Sequence, residues 1–152
     1  MKRIIYTRPD GGVSIVSPAA EQRLLTETEE EFMVRIQTLV VPSDAINPQI
    51  VDESVIPTDR TFRNALRQTG SALTHDMPKC RDIWRNKLRE LRRPKMAALD
   101  AAYMQADERG DTVEKARIAV EKQALRDVTA DPRIEAAQTP NELKAVMPPE
   151  LL

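Results

Sequence analysis

The hydrophobic and polar positions follow two different periods along the chain, a strand-like one first and a helical one later. Near the start, β-prone runs at residues 3–8 and 13–17 flank a segment with a turn-initiating proline and two glycines, residues 9–12. This pattern predicts a β-hairpin, because glycine tolerates the positive φ that tight turns require. A hairpin alone is marginally stable in water, so we expect a third strand, and residues 49–56 are the candidate.

Helical spacing first appears after Thr28. Thr28 and Glu31 match a capping box, and Pro42 is expected to end the helix. The apolar positions between them are spaced by three and four residues: Phe32, Met33, Ile36, Leu39 and Val40. A second, short helix is predicted after Asp59 and is expected to end before Gly70. Its expected inward positions are Phe62, Ala65 and Leu66.

The second half of the chain carries the longest helical pattern. Asp76 can cap a helix that begins at Met77, and the proline that follows loses no hydrogen bond in the first turn. One apolar stripe runs along this segment: Met77, Cys80, Trp84, Leu88, Leu91, Met96, Leu99, Tyr103 and Ala106. Gly110 is expected to close the segment as a C-terminal cap.

A return helix is predicted directly after Gly110. Asp111 and Glu114 match another capping box. The predicted inner face of this helix consists of Val113, Ala116, Val120, Ala124 and Val128. Because the turn is short, the two segments should form an antiparallel helical hairpin, and a final short helix is expected after Thr139. We therefore predict an α+β fold, with a small N-terminal β/α region at residues 1–70 and the helical hairpin with its terminal short helix at residues 71–152.

The long helical segment exceeds the length that its return helix can cover. Residues 77–109 would span about 50 Å, whereas a return helix of ~17 residues spans roughly 25 Å. The first half of the stripe must then be covered by the N-terminal region or by another chain, although Pro94 allows a kink that would bring the halves closer. We hypothesise a protein interface at four stripe positions: Met77, Trp84, Leu88 and Leu91.

Composition supports a chain that acts by binding rather than by catalysis. Aromatic residues make up only 3% of the 152 residues, so the core must rest on aliphatic side chains. The 23 basic and 24 acidic residues nearly cancel, which argues against a generally basic nucleic-acid-binding protein. No apolar run approaches the roughly 20 residues of a membrane span, and no signal peptide is recognisable at the start. The single cysteine, Cys80, fits a reducing compartment.

The residue types that catalysis or metal binding would need are scarce. His75, the only histidine, stands beside Asp76, and we interpret it as a solvent-exposed residue near a helix cap. Together with Cys80 it would leave a zinc site two ligands short. Cys80 itself is interpreted as a small buried hydrophobic residue. No GxGxxG, P-loop, GxSxG or HExxH motif occurs, so we predict no enzyme activity and no cofactor or metal.

A basic stretch offers the main alternative function. Eight basic residues stand against two acidic residues between Lys79 and Lys95, a local net charge of +6. A nucleic-acid-binding or regulatory protein would use four of these arginines: Arg85, Arg89, Arg92 and Arg93. Against this reading, the basic residues surround the helix, Trp84 is the only aromatic residue among them, and the acidic stretch Glu21–Glu31 could be their partner within the chain or in another subunit.

Several segments resemble small proteins encoded in the tail and tail-fibre region of tailed bacteriophages and prophages of proteobacteria. They are IIYTRPDGGVS at residues 4–14, IPTDRTFRNA at residues 56–65, and KQALRDVTADP at residues 122–132 with TPNELKAV at residues 139–146. The last pattern is similar to the C-terminal part of phage tail-assembly and fibre-assembly proteins.

The resemblance implies a non-catalytic structural or assembly role in a phage particle, in association with its tail. The expected partners are other phage structural proteins and further copies of the chain, with no membrane association. The expected location is the host cytoplasm during assembly, and the virion for a permanent component. A transient tail-fibre assembly chaperone is the other role that the resemblance leaves open.

Overall fold

A computed structural model describes all 152 residues and has the predicted α+β class. The chain divides into two compact units, Met1–Asp76 and Met77–Leu152, which are described separately. The predicted boundary between residues 70 and 71 lies inside the second hairpin of the first unit. No helix is both long enough and apolar enough to cross a membrane.

An antiparallel three-stranded sheet organises the first unit. The predicted hairpin forms from β1 (Lys2–Thr7) and β2 (Val13–Val16), and the expected third strand is β3 (Ile46–Asp52). The strand order is β2-β1-β3, so β1 is central. Successive side chains of a strand point to opposite faces, and burial of both Ile4 and Ile5 shows that both faces of β1 are covered.

Helix α1 (Glu29–Val40) supplies the core on one face of this sheet. Both hydrogen bonds of the predicted capping box between Thr28 and Glu31 are present at its start. The core on this side unites Ile4 with three α1 residues: Phe32, Met33 and Ile36. The predicted inward positions Leu39 and Val40 are exposed, because the buried face ends one turn before the helix does.

The predicted short helix after Asp59 is wrong in kind, although its inward residues are right. Phe62, Ala65 and Leu66 are buried, but only Arg63–Ala65 forms a single 3₁₀ turn. Strands β4 (Leu66–Thr69) and β5 (Ala72–His75) then form a second hairpin. Its turn contains Gly70, whose φ of +60° is a conformation that glycine adopts readily.

Two antiparallel helices form the frame of the second unit. Helix α2 (Met77–Glu108) continues through Pro94, and α3 (Thr112–Asp127) returns along it, as predicted. Gly110 ends the first helix with φ +68°, and the N–H of Asp111 bonds the carbonyl of Ala106 at 2.8 Å.

The predicted inner face of α3 is wrong at Val113, Ala116 and Val120, whereas Ala124 is half-buried and Val128 is buried. The buried side chains are Ile118, Leu125 and Val128, whereas Val113 and Val120 are exposed. The two larger aliphatic residues within the helix are seven positions apart and therefore lie on one side of it, and burying them removes more apolar area than burying valine and alanine. Two lysines also face α2, because the Nζ atoms of Lys115 and Lys122 lie 5.4 and 5.2 Å from the centroid of the Tyr103 ring.

The last twenty-five residues cover the first half of α2. They contain α4 (Pro132–Ala136), capped by Asp131, and α5 (Pro140–Ala145), capped by Thr139. Prolines at the start of both helices suit positions whose N–H would have no intrahelical acceptor. Buried side chains from this segment are Val128, Ile134, Ala137, Leu143 and Val146. They place a second layer against α2 where α3 does not reach.

Candidate interaction surfaces

Two of the four positions of the hypothesised interface on α2, Trp84 and Leu88, are buried within their own unit. Trp84 is 7% exposed and Leu88 is 0% exposed. The indole Nε1–H of Trp84 donates to the carbonyl oxygen of Val146 at 3.0 Å, so the C-terminal segment covers this part of the helix. The hypothesised interface at Met77, Trp84, Leu88 and Leu91 is therefore wrong as a set. Met77 is half-buried and Leu91 lies at the margin, with 38% of its surface exposed.

Exposed apolar side chains occur instead on the outside of α3. Val113 and Val120 are 80% and 70% exposed, and Ala116 between them is exposed too. These three residues, called here the outer α3 row, belong to the stripe that the sequence predicted to face inward. A helix in which two large apolar residues recur after seven positions presents them on one side. The row is the exposed apolar surface of the second unit with the clearest helical register.

An apolar groove lies at the side of the same helix. It has a volume of about 390 Å³ and is lined mainly by Ala98, Leu99, Ala124 and Leu125. Charged residues contribute to its rim, among them Lys95, whose ammonium donates to the main-chain oxygens of Glu150 and Leu152. The other two charged residues of its lining are Glu121 and Glu150.

The first arginines of the basic stretch hold the C-terminal segment in place. Arg81 donates to the carbonyl oxygens of Ile134 and Ala137 at 3.2 and 3.0 Å. Arg85 forms a salt bridge with Glu135, and this guanidinium lowers the pKa of the Glu135 carboxyl. Arg85, which the nucleic-acid hypothesis included, is thus engaged in a contact between α2 and α4.

Four other arginines converge on one open groove between the middle of α2 and the end of α3. The groove has a volume of about 510 Å³, and its lining consists of Arg89, Arg92, Arg93, Met96, Ala97, Asp100 and Arg126. We call it the arginine groove. None of the four arginines takes part in a salt bridge. The carboxylate that lines it, Asp100, pairs with Lys122 at 2.6 Å.

Contacts with neutral groups fix part of this arrangement. The Nη1 of Arg92 donates to the carbonyl oxygens of Leu125 and Arg126, at 3.1 and 2.9 Å, where α3 ends. The Nη1 of Arg89 donates to the side-chain oxygen of Asn86 at 2.6 Å. The structure therefore brings together Arg89, Arg92 and Arg93 as the sequence suggested and adds Arg126. Sequence reasoning missed Arg126 because it lies 33 residues beyond Arg93, on another helix.

The acidic stretch that could have neutralised these arginines is largely engaged inside the first unit. Glu27 pairs with Arg35 at 2.7 Å, and this guanidinium lowers the pKa of the Glu27 carboxyl from 4.5 to about 2. A carboxylate oxygen of Glu29 accepts a hydrogen bond from the backbone N–H of Lys2, and Glu31 completes the capping box.

The residues considered for catalysis have structural surroundings. Asp76 is buried and forms a salt bridge with Arg67 at 2.9 Å. The neighbouring His75, interpreted from the sequence as solvent-exposed, is half-buried because it lies at the end of β5. Cys80 is 0% exposed, as expected for a small core residue, and forms no disulfide. No group of three or more histidine, cysteine, aspartate or glutamate residues lies close enough together to hold a metal ion.

Comparisons of the chain with protein-family models, with curated proteins and with solved structures gave no match.

Proposed function

We propose that the protein is a non-catalytic structural or assembly component of a tailed-phage particle, associated with the tail and acting through protein–protein contacts in several copies. The resemblance of residues 4–14, 56–65, 122–132 and 139–146 to tail-region proteins supplies the biological setting. The exposure of the outer α3 row is the observation that supports action through protein–protein contacts. Apolar side chains that stay exposed in register along one side of a helix offer a face that a protein partner can cover.

The position of the row fits this role. Trp84 and Leu88 do not supply this interface, because their own chain buries them. Val113 and Val120 belong to a helix whose opposite side is anchored by Ile118 and Leu125, so the row is presented by a rigid element. Rigid presentation reduces the conformational entropy lost on binding.

The first experiment measures self-association and its dependence on the row. Size-exclusion chromatography with light scattering should give an oligomer for the wild type and a monomer for Val113→Glu/Val120→Glu. The matched control is Leu24→Glu/Leu25→Glu, which makes the same two charge changes at exposed apolar residues of the first unit and should leave the oligomer intact. A wild-type monomer, or equal dissociation of the control, would remove the row from the proposal.

The second experiment tests the biological setting and separates its two versions. Mass spectrometry of purified particles should detect the protein at a constant ratio to the tail proteins. Detection in infected-cell lysate together with tail proteins, but not in finished particles, would identify a transient assembly chaperone instead. A monomeric protein that co-purifies with neither particles nor tail proteins contradicts both versions.

A further inference from the structure

We propose that the arginine groove is a binding site for the phosphodiester backbone of nucleic acid. This inference is independent of the proposed function, because it concerns a different surface and a different class of ligand. It rests on the convergence of Arg89, Arg92, Arg93 and Arg126 on one groove without a salt-bridge partner.

The contrast with other arginines of the same unit shows that this lack of carboxylate partners is a local property. Arg85, Arg117 and Arg133 each form a salt bridge with a carboxylate of the second unit. In the arginine groove, four guanidinium groups face one carboxylate, Asp100, which already pairs with Lys122. The groove therefore carries a net charge of +3 from its own lining residues. Like charges held together repel one another, and a bound anion would relieve that repulsion.

The donors are placed for several anionic groups in a row. Arg89 and Arg93 are four residues apart on α2, a rise of about 6 Å along one side of the helix. Arg126 adds a donor from α3. Arg92 is held by the two carbonyl oxygens at the end of α3, which occupy its Nη1 and leave the other guanidinium nitrogens available. Planar guanidinium groups bind phosphate oxygens in pairs, with better geometry than ammonium groups.

The remaining lining indicates which anion fits and how it would be bound. Met96 and Ala97 form the apolar part of the groove, and no aromatic residue lines it on which a base could stack. Contacts would therefore go to phosphates and would not depend on base sequence. The acidic stretch of the first unit is a poor alternative occupant, because Glu27, Glu29 and Glu31 are already bonded there.

The test measures binding of fluorescein-labelled 20-nucleotide DNA, single-stranded and duplex, by anisotropy at 50 and 200 mM NaCl. Four phosphate contacts predict a loss of affinity of about 50-fold for the single strand and about 150-fold for the duplex over this range. Arg89→Gln/Arg93→Gln should weaken binding uniformly across sequences and reduce the slope of log K against log salt by about 2. Both residues are exposed, so the double variant should keep the circular dichroism spectrum of the wild type.

The matched control is Arg117→Gln/Arg133→Gln, which removes the same charge from the same unit at salt-bridged positions and should leave the slope unchanged. Absence of binding at 50 mM NaCl overturns the proposal, as does an equal loss in the control. Polyglutamate serves as a competitor. Displacement of the DNA by polyglutamate at equal charge concentration would overturn the proposal in favour of a site for acidic protein segments.

Discussion

Burial of the α2 stripe by the C-terminal segment makes a quantitative prediction for Leu143→Ala. Leu143 lies on α5 and is 0% exposed, and α5 packs on α2 near Trp84. The substitution removes three buried carbon atoms, each worth about 0.8 kcal/mol of transfer free energy. The cavity left behind adds to this loss, so the free energy of unfolding of the second unit should fall by about 3–4 kcal/mol.

The assay uses the single tryptophan as a local reporter. Trp84 lies in the second unit and is almost fully buried, so its emission should shift to the red when that unit unfolds in urea. With a urea dependence of about 2 kcal/mol per molar, the expected loss moves the midpoint down by roughly 1.5–2 M. The matched control is Leu152→Ala, because Leu152 is 84% exposed and should change stability by less than about 0.5 kcal/mol.

A shift in the Leu143→Ala midpoint smaller than about 0.3 M would refute the reasoning, because surface substitutions alone produce effects of that size. The reasoning would also be refuted if Trp84 in the folded protein emitted at the wavelength of a solvent-exposed tryptophan. Either result would mean that the C-terminal segment does not cover the first half of α2 and that a partner must cover it instead.

Three further predictions concern single positions. The Glu27 carboxyl should titrate near pH 2 by NMR and near its ordinary value in Arg35→Gln. The pKa of Glu27 in the folded protein is lowered from 4.5 to about 2, so the ionised carboxylate stabilises the first unit fully above pH 4.5. This stabilisation is lost as the pH falls towards 2, and Glu27→Gln should reduce that dependence of the unfolding free energy on pH. Thr28→Ala should speed hydrogen exchange in α1, with a loss of about 1 kcal/mol; unchanged exchange would exclude a stabilising cap. Pro94→Ala should raise the urea midpoint of the second unit, because alanine restores a backbone hydrogen bond of α2 and relieves strain. The expected gain in unfolding free energy is about 1–3 kcal/mol, and a lower midpoint would show that the proline is needed.

The elements predicted correctly are those whose signals are local. The turn at residues 9–12, the capping box at Thr28 and the helix end at Gly110 each depend on residues within a few positions of one another, and all three form as expected. The second hairpin also had a local signal, a glycine between two short runs. The spacing of Phe62, Ala65 and Leu66 fits a helical period as well as a turn that leads into a strand, so the pattern predicts a helix before Gly70 where β4 forms.

The errors concern packing between distant segments. Helix α3 carries two apolar stripes, and its sequence alone does not show which of them is buried. Ile118 and Leu125 are buried, whereas Val113 and Val120 are exposed. The lengths of α2 and α3 indicate that α3 leaves the first half of α2 uncovered. The C-terminal segment covers Trp84 there, with α4, which the sequence did not predict, and α5, the short helix expected after Thr139, whose packing against α2 is not visible in its own sequence. For the same reason Arg126 could not be assigned to the arginine groove before the helices were placed side by side.

The burial of Cys80 has a consequence for handling and labelling the protein. Its thiol is 0% exposed on α2 and is the only one in the chain. Covalent cross-linking between two chains under oxidising conditions therefore requires that the second unit first open. The rate at which an alkylating reagent modifies this sulfur would report how often the folded helices separate, without any engineered probe.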